Sequence, residues 1–487
     1  MYDLVAIGGG SAGLTVGKYG PKLGAKVAIV EADRLGGDCT WTGCVPSKAL
    51  IASARAAHHA RHTADLGLPA AQLEGPIDLA SIVDRILALQ EQIYRDVDHP
   101  DLLRAAGCDV IEGRARFVGP HTIEVDGRRI DARYFCIATG SSPAIPPIDG
   151  LDSVDYLTNY TVFQIRELPP RLLIVGGGPI GLELGQAFAR LGSDVVIAEA
   201  LSRVLTKEEP EVSDLITACL RSEGVEIRTD TRVQSVRRQD GEIRALFSHH
   251  ELSHHDEDAQ EHPFDAILLA SGRTPNVDDL GLDAAGIDYG PNGIKVDGTL
   301  RTSNDAVFAV GDVTAGLNFT HAAAYEASLV LRNALFPRPV TADYSAIPWA
   351  TFTDPEVSHV GLTEAEARST YGSQVQVYRQ DFAEIDRARL DGDPRGFLKL
   401  ITRDGDRILG AHIIGPRAGE LIHEYALALQ AGLPASSIAD TVHAYPTLSE
   451  INRFAALQSQ DAWLTGYRVR GARHLKRFSD WFQALTT

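Results

Sequence analysis

Short apolar runs, glycine clusters and stretches of three-to-four periodicity alternate along the first third of the chain. Leu4-Val5-Ala6-Ile7 predicts a strand, followed by Gly8-Gly9-Gly10-Ser11-Ala12-Gly13 and a helix of small residues to about Gly20. Lys26-Val27-Ala28-Ile29-Val30-Glu31 predicts a second strand that ends on an acid. Residues 49–104 are mostly helical in pattern, with Ile82, Ile86, Leu89 and Ile93 on one face, and they suit a packing or solvated helix pair. Residues 109–140 alternate and turn like a β-meander, closing on the strand Tyr134-Phe135-Cys136-Ile137-Ala138-Thr139-Gly140. The Pro-rich Ser142-Pro143-Ala144-Ile145-Pro146-Pro147 predicts a linker.

The opening pattern then repeats. Arg171-Leu172-Leu173-Ile174-Val175 is a strand, Gly176-Gly177-Gly178-Pro179-Ile180-Gly181 a turn, and 182–191 a helix. Asp194-Val195-Val196-Ile197-Ala198-Glu199 follows as a strand, again with a terminal acid. Strand, Gly-x-Gly-x-x-Gly, helix, strand and acid together form the dinucleotide fingerprint. Its glycines allow a tight turn and close approach of a pyrophosphate to the helix N-terminus, and its acid accepts from a ribose hydroxyl. Units opening at Gly8 and at Gly176 imply two nucleotide domains in one chain. Glu199 would repel a 2′-phosphate, which favours NADH over NADPH, with Arg203 nearby tempering that preference. Further strands are expected at Ala266-Ile267-Leu268-Leu269-Ala270, before Ser271-Gly272-Arg273-Thr274-Pro275-Asn276, and at 306–310, before Gly311-Asp312. From about Tyr344 the pattern becomes α+β, with strands near 349–352, 397–401 and 408–414 and a helix at 419–431.

Composition narrows the function classes. The 487 residues are 44% hydrophobic and 23% charged, an ordinary globular balance for several domains. A net charge of −19 argues against a nucleic-acid surface. Five cysteines are too few for a secreted disulfide scaffold of this size. Met1-Tyr2-Asp3 runs straight into a strand without a basic-then-apolar leader, and there is no apolar run of about 18 residues. A cytoplasmic, reducing location is therefore expected. Between Phe247 and His262, five histidines stand among acids; a solvated hairpin loop is the better reading, and no metal site is expected. The basic tail 466–487 carries Leu475, Phe478, Phe482 and Leu485 on one helical face, which suits packing on its own protein better than membrane contact.

Cys39 and Cys44 sit in Gly36-Gly37-Asp38-Cys39-Thr40-Trp41-Thr42-Gly43-Cys44-Val45-Pro46-Ser47-Lys48. Residues five apart in an ideal helix have Cα atoms roughly 8 to 9 Å apart, whereas a disulfide wants about 7 Å or less. If the sulfurs bond, the backbone must leave regular helix, and Gly43 is best able to bend it. Pro46 suits a first helical turn, where its missing N–H would be unpaired anyway. A short, reducible loop suits a working redox pair; two unrelated buried thiols are the other reading.

With both fingerprints, the cysteine pair and Gly311-Asp312, the chain resembles the FAD-dependent pyridine-nucleotide disulfide oxidoreductases, the family of dihydrolipoamide dehydrogenase, glutathione reductase and mercuric reductase. The likeness runs over about residues 1–465. It implies an α/β fold of two Rossmann-like, doubly wound nucleotide-binding domains plus a C-terminal α+β dimerisation domain. The boundaries implied are 1–150 for FAD, 151–275 for NAD(P), 276–343 returning to the FAD domain, 344–465 for dimerisation, and 466–487 as the tail. By position, Gly8, Gly10, Gly13 and Glu31 would hold the FAD adenosine half and Asp312 its ribityl side, with Gly37, Thr139, Gly140, Gly272 and Gly311 also near the cofactors. Gly176, Gly178, Gly181 and Glu199 would hold NAD(P)H. Lys48 and Glu183 match an ion pair close to the flavin, Cys39 the thiol that attacks substrate, and Cys44 the thiolate that donates charge to the flavin. The relay implied carries hydride from nicotinamide to FAD, opens Cys39–Cys44, and ends with a thiolate attacking an oxidised substrate. Asp38 is a local negative charge that should oppose thiolate formation at Cys39 unless lysine and flavin fields dominate.

The segments Thr320-His321-Ala322-Ala323-Ala324-Tyr325-Glu326-Ala327 and Phe352-Thr353-Asp354-Pro355-Glu356-Val357 look most like the mercuric-reductase-like branch. Near the C-terminus, His443-Ala444-Tyr445-Pro446-Thr447-Leu448-Ser449-Glu450 departs from the His-Pro…Glu of dihydrolipoamide dehydrogenase and glutathione reductase. Glu450 is in place, but Tyr445 stands at the His position, and tyrosine is a poor base near neutrality. Mercuric reductase is similar in having that Tyr, yet its vicinal cysteines have no counterpart after Cys219. In a strand His443 and Tyr445 would share a face; otherwise His443 is a structural partner of Glu450. The resemblance implies a cytoplasmic homodimer that uses NAD(P)H to reduce a small disulfide or similar soft electrophile. A mercuric-ion reductase without carrier domain and tail cysteines is the first alternative, and a redox-sensing flavoprotein of low turnover the second.

Overall fold

The structure, a computed structural model, describes residues 1–69, 75–249, 261–314 and 316–464. Most of the His-rich segment (250–260) and the basic tail fall outside the described residues. The chain divides into two compact units, one of Met1–Thr63, Ala70–Val204 and Glu223–Asp343, the other of Ala64–Pro69, Leu205–Ser222 and Tyr344 onwards.

The first unit holds both expected nucleotide folds. Strand Tyr2–Ile7 is the axis of a seven-stranded sheet, parallel to Val27–Glu31 on one side and to Arg128–Ile137 on the other, and Val307–Ala309 joins that sheet beside Arg128–Ile137. Leu4, Val5 and Ala6 are wholly buried and Ile7 nearly so, as a strand covered on both faces requires. A four-stranded parallel sheet of Glu226–Arg228, Asp194–Ala198, Arg171–Val175 and Ala266–Leu269 carries the second repeat. The expected linker after Gly140 is partly strand: Ser141–Pro143 pairs antiparallel with Arg273–Pro275. The Pro-rich run suggested a linker, but a two-stranded ribbon tolerates proline where its missing N–H is not needed. Strands Glu242–His249 and His262–Phe264 pair antiparallel.

The second unit is built on a five-stranded antiparallel sheet ordered Trp349–Thr351, Glu356–Gly361, Arg407–Gly415, Phe397–Arg403, Val375–Asp381. Its core includes Val360, Phe382, Leu400, Ile413 and Tyr425. The helix expected at 419–431 is two pieces, Ala418–Leu421 and His423–Ala431.

Candidate functional site

The two fingerprints fold into matching cradles. Gly9 N–H donates to Glu31 Oε2 at 2.6 Å and Asp33 N–H to Glu31 Oε1 at 2.8 Å. In the second copy Gly177 N–H donates to Glu199 Oε2 at 2.6 Å and Leu201 N–H to Glu199 Oε1 at 2.8 Å. Each acid is thereby aimed by its own backbone, with oxygen lone pairs left over for hydroxyls. A Cβ on Gly13 would stand 1.9 Å from Gly8 O, and one on Gly181 2.0 Å from Gly176 O, so close helix-to-turn packing requires glycine at both. Gly10 and Gly178 are different: both have ordinary extended backbone, and added Cβ atoms would meet little of the protein. They border space rather than neighbours.

That space, at the first cradle, is a cavity of about 1280 Å³. Gly8, Gly10, Glu31, Gly37, Thr139, Gly140, Gly311 and Asp312 line it, as does Cys39. Gly13 lies beneath the turn, and neither Gly272 nor the second cradle borders this cavity. A glycine turn at a helix N-terminus, a carboxylate aimed by backbone, and a long cavity beside them fit an adenine dinucleotide.

The cysteines flank a break in the helix. Helix Gly37–Trp41 stops at Thr42, Gly43 takes φ −129° and ψ −112°, and helix Cys44–Arg61 starts afresh. Regular helix is thus interrupted at Gly43, where a Cβ would stand 2.7 Å from Asp38 O. Both thiols are free, Cys39 half-buried and Cys44 exposed, and each shifts the acidity of the other. The neighbouring Cys44 sulfur, then burial, pushes the Cys39 thiol far above the ordinary range. The neighbouring Cys39 thiol brings Cys44 down to about 6 against the effect of burial, helped by the Thr320 hydroxyl and the Lys48 ammonium. The pair therefore keeps its proton on Cys39 and its negative charge on Cys44. Thr320 opens the helix Thr320–Leu335, and its Oγ1 is 3.6 Å from Cys44 Sγ.

Lys48 follows Cys44 by one turn of the same helix and pairs with Glu183 at 2.7 Å. Glu183 is buried on the helix that follows the second cradle. Asp38 corrects an expectation. Its charge does not bear alone on Cys39, because the Arg273 guanidinium pairs with it. Arg273 also donates from Nε to Ser141 Oγ at 2.6 Å, and Ser141 Oγ–H donates to Asp312 Oδ2 at 2.7 Å. Residue reasoning passed over Arg273, Ser141 and Thr320. The cation after a fingerprint strand, in Gly272-Arg273-Thr274-Pro275, was the available signal for the first.

In the second unit, His443, Tyr445 and Glu450 lie on or beside an irregular segment, not a strand. His443 Nε2 is 3.1 Å from Glu424 Oε1 and its Nδ1 3.0 Å from Thr441 O, so its carboxylate partner is Glu424 rather than Glu450. Glu424 comes from the helix His423–Ala431, which no sequence spacing links to residue 443. Tyr445 is exposed and donates to Asp386 Oδ2 at 3.1 Å, a bond that raises the phenol further above its usual range.

Comparison with known proteins agrees with these cradles. Residues 2–327 match the family model described as pyridine nucleotide-disulphide oxidoreductase, and residues 347–456 match its dimerisation domain. A mercuric reductase of Streptomyces lividans is 38% identical over 463 residues, spanning 93% of this chain and 95% of the relative. A dihydrolipoyl dehydrogenase of Geobacillus stearothermophilus is 36% identical over 461 residues, spanning 93% and 95%. The solved HOCl-induced flavoprotein disulfide reductase RclA from Escherichia coli superposes with a TM-score of 0.81 at 30% identity, covering 93% of this chain and 99% of that one. The chain belongs to the pyridine nucleotide-disulphide oxidoreductases, enzymes that use FAD and NAD(P)H.

Proposed function

We propose that this chain is an NAD(P)H-dependent reductase whose working sulfurs are Cys39 and Cys44, acting on a disulfide or similarly soft oxidised substrate. One observation carries the reading: two thiols that shift each other's acidity in opposite directions, one of them on the wall of the cavity at the first dinucleotide cradle. FAD and NAD(P)H, when bound, supply hydride transfer and a route for electrons to sulfur. Residues 1–150 and 276–343 would hold FAD, 151–275 the nicotinamide nucleotide, and 344–465 the contact that makes a homodimer.

Within the chain each group has a stated task. Lys48, paired with Glu183, and Thr320 hold the thiolate on Cys44. Cys39 is the attacking sulfur: it loses its proton, bonds to one substrate sulfur, and the other leaves as a thiolate. Cys44 then closes the Cys39–Cys44 disulfide and releases the second product thiolate; two protons make both products thiols. Tyr445, His443 and Glu450 are the candidates for handling the proton, Tyr445 as donor, since its raised phenol is a poor base. Glu199, its carboxylate held toward the second cradle, favours NADH over NADPH.

A second reading is that of a mercuric-ion reductase, favoured by Tyr445 and by several mercuric reductases among the relatives. A panel of lipoamide, glutathione disulfide and Hg²⁺ with excess thiol, each followed by nicotinamide oxidation with NADH and with NADPH, separates the two. Turnover of a disulfide that disappears in Cys39→Ser supports the first reading. Turnover of Hg²⁺ alone supports the second, and no turnover of any leaves a low-turnover sensor.

A further inference from the structure

The five-stranded sheet of the second unit carries a polar row across one face. Trp349 pairs with His359, His359 with His412, and His412 with Lys399, each directly opposite on the next strand. Such a row should be apolar or wet; instead His359 and His412 are 2% and 0% exposed and Lys399 4%. The chain that covers it is the acidic Glu208-Glu209-Pro210-Glu211, entering the helix Pro210–Ser222. At the Lys399 end three carboxylates share one cation, for its Nζ reaches Glu209 and Glu211 at 2.9 Å and Glu364 at 2.7 Å. At the other end Glu208 faces two histidine rings instead.

His359 Nε2 is 2.9 Å from Gly361 O, and His412 Nε2 is 3.3 Å from Leu362 O. A carbonyl only accepts, so both Nε2 atoms carry hydrogen, and in a neutral ring both Nδ1 atoms are lone pairs. These two Nδ1 atoms are buried and make no hydrogen bond. Both face the same carboxylate oxygen, Glu208 Oε2, at 3.4 Å and 3.7 Å. The other oxygen, Glu208 Oε1, accepts from Trp349 Nε1–H at 2.6 Å, which fixes the carboxylate's direction. Two lone pairs and an anionic oxygen converging in a buried place repel one another unless a cation lies among them. The surrounding charge adds to that need: Glu208, Glu209, Glu211, Glu364 and Glu366 stand against Lys399 and Arg368.

We propose that Glu208, His359 and His412 bind one borderline divalent transition-metal ion through Oε2 and the two Nδ1 atoms, tying the segment before Pro210 to the sheet. The three residues offer ligand atoms all within 4.8 Å of one another. Two ligands on a tetrahedral ion at about 2.1 Å lie roughly 3.4 Å apart, close to the separations found. Each imidazole giving its second N–H to a backbone carbonyl is the outer-shell arrangement that orients a ligating histidine. Nitrogen and oxygen donors without sulfur select Zn²⁺-like ions over soft ones. Burial of all three ligands closes the site to substrate, so the ion is structural, with a water as a further ligand.

The test uses full-length protein stripped with chelator, with Cys39 and Cys44 alkylated so that neither competes; Cys108, Cys136 and Cys219 are buried. It is equilibrated with Zn²⁺, and the retained metal is counted and examined by X-ray absorption. One Zn²⁺ per chain is expected, with a first shell of nitrogen and oxygen at about 2.0–2.1 Å, imidazole scattering and no sulfur. His359→Gln and Glu208→Gln should each cut occupancy at least tenfold, whereas alanines at His249, His250, His254 and His255 should leave it. Unchanged occupancy in His359→Gln, or its loss with the loop histidines, overturns the proposal. If the variants do not fold, the wild-type protein decides by itself. No retained Zn²⁺, or ¹⁵N NMR finding His359 Nδ1 protonated with and without Zn²⁺, means that a proton is the cation.

Discussion

Lys48 Nζ lies 2.7 Å from Glu183 Oε2 although 135 residues separate them. The contact joins the helix that begins at Cys44 to the helix that follows the second nucleotide cradle. Glu183 is buried, so removing its cation leaves the carboxylate poorly compensated. Lys48→Met should lower stability by about 1–3 kcal/mol and raise the Cys44 pKa, while Lys48→Arg should preserve most of both. Denaturant unfolding together with thiolate absorbance against pH measures the two effects.

The acidity of Cys44 gives a pH profile. In reduced protein, alkylation of Cys44 by iodoacetamide should rise through pH about 6 and level off by neutrality. Cys39→Ala removes the largest cause and should move the rise toward the ordinary thiol value of about 8.5, slowing alkylation at pH 7 roughly tenfold or more. The stability sign follows. A thiol whose folded pKa is depressed stabilises the reduced protein above the unfolded value, and that contribution fades as pH falls toward about 6. An alkylation profile unchanged in Cys39→Ala would show that the two thiols do not share a proton.

Gly10 and Gly178 separate the two cradles without disturbing the fold. Both have extended backbone that any residue adopts; an added methyl meets open space at Gly178 and only an ordinary 3.9 Å contact with Gly37 Cα at Gly10. Gly10→Ala and Gly178→Ala should therefore change stability by no more than about 0.5 kcal/mol. Gly10→Ala should weaken FAD retention, and Gly178→Ala should raise the KM for NAD(P)H roughly tenfold, about 1.4 kcal/mol, with FAD retained. Thermal unfolding, flavin absorbance per chain and steady-state kinetics check the pair.

Arg273 neutralises Asp38 and orders Ser141 against Asp312. Arg273→Leu should cost about 1–3 kcal/mol and loosen bound FAD, because two carboxylates lose their shared cation. Adding Asp38→Asn to that variant should restore part of the loss, giving a coupling energy of about 0.5–3 kcal/mol in the double-mutant cycle.

The local parts of this architecture were legible in the sequence. Each cradle is a contiguous strand-turn-helix-strand with an acid at its end, so backbone physics specifies it without knowledge of the tertiary fold. The break falls at Gly43, the residue that the sequence marked as best able to bend if the two sulfurs were to bond. What depended on distant segments was not legible: Arg273 meets Asp38 across 235 residues, and His443 meets Glu424 rather than Glu450. The row Trp349–His359–His412–Lys399 exists only through strand register, and its covering acids come from near residue 208. The strand at Ser141–Pro143 was hidden by proline, which marks turns and ribbon edges alike.

The central claim is that electrons reach Cys39 and Cys44. Anaerobic titration of the oxidised holoenzyme with dithionite tests it directly, read by flavin absorbance and by thiol count. The wild-type protein should take up a second electron pair beyond the pair its flavin takes, with two new thiols, and Cys39→Ser should take up the flavin's pair only. Equal uptake by both proteins would contradict the account.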